Sequence, residues 1–90
     1  MTFVWDERKA AANVRKHGVS FMEARDVFRD PLEVTIVDQR HSIDEARFFS
    51  MGRGKRGKLL AVSYTEQGDT IRIISARKIT LAERKQYEEG

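Results

Sequence analysis

Apolar residues recur at helical spacing in the N-terminal part of the chain and at strand spacing beyond Leu32. Phe3-Val-Trp5 is a short apolar opening that reads as an edge strand, and Asp6 behind it carries the side chain of a helix N-cap. The helix that follows runs to about His17, where Gly18 tolerates the left-handed backbone of a helix stop. Ala10, Val14 and His17 share one stripe, while Arg8, Lys9, Asn13, Arg15 and Lys16 occupy the adjacent ones. This helix is therefore expected to bury a thin alanine-rich face and to show a basic one. Ser20 and Glu23 spell a capping box that opens a second helix, with Phe21, Ala24, Val27 and Phe28 facing inward. Asp30-Pro31 ends it, because a residue before proline avoids the helical region.

Period-two alternation then takes over. Glu33-Val-Thr-Ile-Val37 is the first strand of this half, Asp38 to Glu45 a polar connection, and Arg47-Phe-Phe-Ser-Met51 the next strand. Gly52 to Gly57 is a glycine-rich basic turn, read as a mobile hairpin tip and not as a phosphate-cradling loop, since no helix follows it. Lys58 to Thr65 is a third strand, and Gln67-Gly-Asp69 turns it into a strand that starts at Ile71. Ile71, Ile73 and Ile74 place apolar β-branched residues on both faces, the mark of a central strand. Thr80 and Glu83 form another capping box and start a last helix. Short connections favour antiparallel hairpins, so the expected architecture is α+β: two N-terminal helices, an antiparallel meander of about four strands and a C-terminal helix, in one domain over residues 1–90.

Composition narrows the function classes. The chain is 40% hydrophobic and 34% charged, which describes a folded globular domain, and 90 residues suffice for one modest core. No apolar run spans a bilayer and the N-terminus lacks a secretory signal, so no membrane association is expected and the cytoplasm is the expected location. Without cysteine there is no thiol nucleophile or thiolate metal site. His17 and His41 are the only histidines and are not at ligand spacing, so neither metal nor other cofactor is expected. The net charge of +3 is small. Its distribution matters more: Arg53 to Lys58 and Thr70 to Ala82 carry cations without acids, and the acids gather elsewhere.

Arginine's planar fork suits phosphate, and Arg72 and Arg77 lie within or at the end of the isoleucine strand, with Lys78, Arg84, Lys85 and Tyr87 following. This edge looks built for a polyanion. His17 can either cap carbonyls at its helix end or transfer protons. Tyr87 can pack its ring on the sheet and keep its hydroxyl wet. Phe3 and Trp5 read as core, and Tyr64 is ambiguous.

Phe3 to Phe21, Val27-Phe-Arg-Asp-Pro31, Arg47-Phe, Gly52-Arg53, Ile71-Arg-Ile-Ile-Ser-Ala-Arg-Lys78, Glu83-Arg84 and Tyr87-Glu88 together resemble the BrnT family, toxins of type II toxin–antitoxin systems. The resemblance covers nearly the whole chain. It implies a fold similar to RelE-type ribonucleases, metal-independent RNA cleavage and inhibition of translation. It also implies a BrnA-like antitoxin with a ribbon-helix-helix part, two toxins with two antitoxins, and operator DNA contacted only through the antitoxin. Leu81-Ala82 departs from the basic character expected there.

Placement and resemblance together assign Arg72 and Arg77 to the scissile phosphate, as a clamp, because arginine stays charged and cannot be the base. Proton transfer falls to His17, Lys16 or Tyr87, of which only His17 titrates naturally near neutrality. Lys9, Lys16, Arg53, Lys78 and Arg84 are the expected RNA-binding residues. The alternative is a basic module without catalysis, binding RNA or only receiving an antitoxin.

Overall fold

The computed structural model describes residues 1–38 and 46–90; the expected polar connection, with His41, lies almost wholly outside them. Strand β1 (Thr2–Val4) precedes helices α1 (Glu7–His17) and α2 (Phe21–Ala24), the latter continued by a 3-10 turn, Arg25–Arg29. Strands β2 (Val34–Val37), β3 (Arg47–Arg53), β4 (Leu59–Gln67) and β5 (Thr70–Lys78) follow, and α3 (Leu81–Glu89) closes the chain. They form one five-stranded sheet in the order β1-β5-β4-β3-β2.

The meander from β2 to β5 is antiparallel as expected, but the sheet is mixed and has five strands, not four. The N-terminal strand lies parallel to β5, with Phe3 opposite Ile71. Short-loop reasoning orients only strands that are neighbours in sequence, and β1 reaches β5 across the whole domain. The second helix is also shorter than expected. It makes one α-helical turn before tightening to 3-10 geometry, and Asp30 ends it in extended conformation (φ −71°, ψ 118°) ahead of Pro31. Phe21, Ala24 and Val27 nevertheless face inward and are buried.

Local signals hold where caps were expected. The Asp6 carboxylate accepts from the Arg8 and Lys9 amides, and both the Ser20–Glu23 and Thr80–Glu83 boxes are formed. Gly18 ends α1 at φ 69°. The basic turn begins later than expected: β3 runs through Gly52, where a Cβ would lie 2.9 Å from Val27 Cγ1 and 3.1 Å from its carbonyl oxygen.

The helices cover one face of the sheet, where Val19, Phe21, Ala24 and Val27 meet Leu60, Val62, Tyr64, Ile71, Ile73 and Ala76. Phe3 and Trp5 join this core, against Phe28 and Phe21. Tyr64 is a core residue too. Its hydroxyl bonds Ser50 Oγ at 2.8 Å, and burial pushes its pKa up. On the other face α3 seals a smaller cluster of Met51, Ala61 and Tyr87.

Asn13 corrects the reading of α1. It is not part of an exposed basic face but only 6% exposed. Strand β1 pairs with β5 only as far as Arg72, so the β5 edge continues without a strand neighbour at Ala76. The Asn13 carboxamide covers that edge: Nδ2 donates to the Ala76 and Val19 carbonyls (2.7 and 2.8 Å), and Oδ1 accepts from the Ala76 amide (3.1 Å). A carboxamide has donor and acceptor side by side, as an extra strand would.

A candidate nucleic-acid interface

One bulge decides which face the arginines share. Tyr64 pairs with Ile73 but Ser63 with Ser75, so Ile74 is the extra residue. Strict alternation would put Arg72 and Arg77 on opposite faces. With the bulge, both lie on the face away from α1, although roughly 13 Å apart along the strand.

Beyond Arg77 the ends of β3, β4 and β5 and the start of α3 enclose a groove of about 380 Å³. Among the described residues four cations line it, Arg53, Lys58, Lys78 and Arg84, together with Leu59, Ile79, Thr80 and Leu81, and no carboxylate does. Arg53 is braced, its Nη1 donating to the Gly57 carbonyl at 2.8 Å. The Ile79 amide donates to the Leu59 carbonyl (3.3 Å), tying two walls together. The positive end of the α3 dipole adds to the same potential. An open, uniformly cationic groove is suited to a chain of phosphates.

Arg77 flanks the groove in a committed state. Its Nη1 and Nη2 make two parallel bonds to Glu83 (2.8 and 2.9 Å), Nη1 also reaches the Lys78 carbonyl, and the guanidinium lies over Phe49. The Glu83 bond raises the Arg77 pKa, and the Arg77 bonds hold the Glu83 carboxyl below its usual range despite partial burial. Glu83 also completes the α3 cap, so one carboxylate fixes the arginine and the start of the helix.

Tyr87 is 7% exposed and its hydroxyl donates to Asp30 Oδ2 at 2.6 Å. That bond raises the phenol pKa, with burial acting in the same direction. The hydroxyl is therefore not wet, as the sequence reading allowed, but satisfied inside the protein. Burial alone would raise the Asp30 pKa; bonds from Tyr87, the Leu32 amide and the Arg53 amide outweigh it and lower it. Asp30 Oδ2 accepts from Tyr87 and from the Arg53 amide (2.8 Å), so it links α3 to the strand end that carries Arg53 into the groove.

The structure thus gathers three of the expected RNA-binding residues, Arg53, Lys78 and Arg84, and adds Lys58. It does not bring the others to them. Lys9 and Lys16 are exposed on α1, and His17 ends that helix, which packs on the opposite side of the sheet. Arg72 is exposed, level with Thr65 and Val4. Lys58 was legible as part of the Arg53–Lys58 run, but only the hairpin returns it beside Arg53. Nothing in the sequence marks Asp30 as a junction beyond its place before proline.

Glu83 and Asp30 give the fold a definite acid response. Each has a lowered native pKa, so its contribution is whole above the ordinary values of 4.5 and 3.8 and is lost as pH falls through the native ones. Thermal melts from about pH 7 to about pH 3 should show a smaller loss for Glu83→Gln, which keeps a cap acceptor but has no charge to lose. Equal losses would mean that the Arg77 pair contributes nothing.

Fold and groove together define a small α+β protein with an open cationic groove at one end of its sheet. Residues 5–83 match the family described as ribonuclease toxin, BrnT, of type II toxin–antitoxin system, and the chain belongs to that family. RNA is accordingly its substrate class and an antitoxin its partner. The 1.1 Å crystal structure of the Brucella abortus ribonuclease toxin, BrnT, shares the fold, with a TM-score of 0.66 at 24% identity over 89% of this chain and 97% of that one. No curated protein matches the chain. Among the described residues no helix is long and apolar enough to cross a membrane.

Proposed function

We propose that the chain is a metal-independent endoribonuclease that cleaves RNA in the basic groove and so arrests translation. A BrnA-like ribbon-helix-helix antitoxin neutralises it, in a complex of two toxins and two antitoxins that reaches operator DNA through the antitoxin alone. The observation that carries the cleavage reading is the groove itself, lined among the described residues by four cations and no carboxylate. Carboxylates are the usual protein ligands of a catalytic magnesium ion, so this lining favours phosphate held directly by side chains. In such a groove the RNA 2′-hydroxyl attacks phosphorus and the 5′-oxygen leaves, giving a 2′,3′-cyclic phosphate and a 5′-hydroxyl. Arg53 and Arg84 stabilise the charge on the pentacoordinate phosphate. Lys58 and Lys78 are the groove residues that can supply a proton to the 5′-oxygen, since arginine does not release one. Water in the open groove takes the 2′-hydroxyl proton. Arg77 anchors the Lys78 backbone and the first turn of α3, and would meet phosphate only by exchanging Glu83 for it. In this reading Arg72, Lys9, Lys16 and His17 contact RNA only outside the groove.

The test is a defined RNA incubated with purified protein in excess chelator, with the product ends analysed. Cyclic phosphate ends are expected; cleavage that appears only on adding magnesium would remove the metal-independent mechanism. Binding without product, even with translating ribosomes present, would favour the non-catalytic module.

Tyr87 has a separate expected outcome. Through Asp30 it positions the strand end of Arg53, so Tyr87→Phe should cost about 1.5–3 kcal/mol of stability, the loss of one bond to a charged acceptor. Its cleavage should stay within a few-fold of wild type when measured well below the melting temperature. A loss near 10²-fold, the scale of a missing transition-state donor, would instead put the phenol on the substrate.

A further inference from the structure

Among the described residues, strand β2 is a sheet edge with no strand laid against its outer side. The opposite edge is protected: β1 is three residues long, and beyond it Asn13 caps β5. Val34-Thr-Ile-Val37 is one residue longer than β1 and holds neither a charged residue nor a proline, the side-chain guards that usually discourage strand pairing. Its apolar side chains are open on both faces of the sheet, Ile36 being 38% exposed and Val37, which alternates with it, 52%. Leu32, just before the strand, is 66% exposed. Beside them a second pocket, of about 510 Å³, is lined by the apolar Leu32 and Val34 and by Glu33, Glu88 and Glu89, with no cation among the described residues. Arg84 reaches only Glu88 among them, at 3.5 Å, and both side chains of that pair are more than half exposed.

We propose that β2 and this acid-rimmed pocket form a docking site for an extended, basic and apolar segment of a partner protein. The segment adds a sixth strand to the sheet. Its backbone pairs with β2, an apolar side chain enters the pocket over Leu32 and Val34, and lysine or arginine side chains meet Glu33, Glu88 and Glu89. Charge decides against a second copy of this chain. A two-fold symmetric contact would pair β2 antiparallel with itself, which with Val34–Val37 paired sets Glu33 of each copy opposite Asp38 of the other and leaves both acidic rims without cations, and like charges across a strand pair are destabilising. The site also lies apart from the cationic groove, with which it shares no lining residue.

The test titrates the isotope-labelled protein, without RNA, with a short acetylated and amidated peptide of alternating lysine and valine. Amide shifts confined to Val34–Val37 and to Glu88 and Glu89 are expected. The charge reversal Glu33→Lys, Glu88→Lys, Glu89→Lys should weaken binding by roughly tenfold or more, and so should Val37→Lys, an exposed change that leaves the rim charges in place. A peptide of the same composition with its lysines and valines in separate blocks should bind more weakly. Equal binding of the two peptides, shifts elsewhere, or no binding at millimolar peptide would overturn the proposal. Concentration-dependent dimerisation that shifts the same β2 amides without peptide would overturn it in favour of a second copy.

Discussion

Asn13→Ala is expected to destabilise the fold by about 3–5 kcal/mol, since three backbone groups lose their partner and each buried orphan costs about 1–3 kcal/mol. Those groups are the Ala76 amide, the Ala76 carbonyl and the Val19 carbonyl. Water cannot replace the carboxamide cheaply, because the site is almost closed. For a domain of this size that loss corresponds to roughly 15 °C or more in melting temperature, and it is a large share of the roughly 5–15 kcal/mol that such folds possess. Asn13→Asp should be no better: it retains the acceptor for the Ala76 amide but turns a carboxylate oxygen towards two carbonyls. Arg15→Ala, on the exposed side of the same helix, should change stability by about 0.5 kcal/mol or less. Thermal or urea unfolding of the three variants reads this directly. A melting temperature for Asn13→Ala close to that of Arg15→Ala would show that the Asn13 bonds do not hold α1 to the sheet.

Removing Lys58, Lys78 and Arg84 together, each to alanine, should abolish most RNA cleavage while leaving the fold intact. Arg53 is left in place because its guanidinium also braces the turn at Gly57. Three phosphate contacts to a single strand, at about 0.7 each, predict that the slope of log affinity against log salt becomes shallower by about 2. The cleavage rate should fall by about 10²-fold or more, since charge stabilisation at the phosphate is lost with the binding. The triple variant also lowers the net charge from +3 to zero, so a control must do the same elsewhere. Arg8→Ala, Arg15→Ala, Arg29→Ala removes as much charge from exposed positions outside the groove. That control should keep most of its activity and its salt slope. Equal losses in the two triple variants would mean that overall charge, and not the groove, holds the RNA.

Much of the fold was legible in local chemistry. Both capping boxes, the Gly18 stop, the inward stripe from Phe21 to Val27 and the antiparallel meander depend on neighbours within a few residues. Such features are written in the chain because their partners are near in sequence, and so was the family resemblance. Part of the site was legible too. Arg53 and Lys78 stood out as cations in acid-free stretches and Arg84 as a cation of the last helix, and the structure brings them to one groove.

What the sequence did not carry depends on contacts between distant segments. The pairing of β1 beside β5 is parallel because tertiary packing, not a turn, sets it. Asn13 looked like one more polar residue on a basic helix; only the free edge of β5, sixty-three positions on, makes it a core group. Tyr87 and Asp30, fifty-seven positions apart, become a junction by the same kind of meeting. The bulge at Ile74 is the sharpest case, since one unpaired residue moves Arg77 to the same face as Arg72. The sequence by itself determined which residues form helices and strands and where positive charge is available. The tertiary structure decided which charges converge, because side-chain direction follows strand register, and register is set by pairing between segments far apart in the chain.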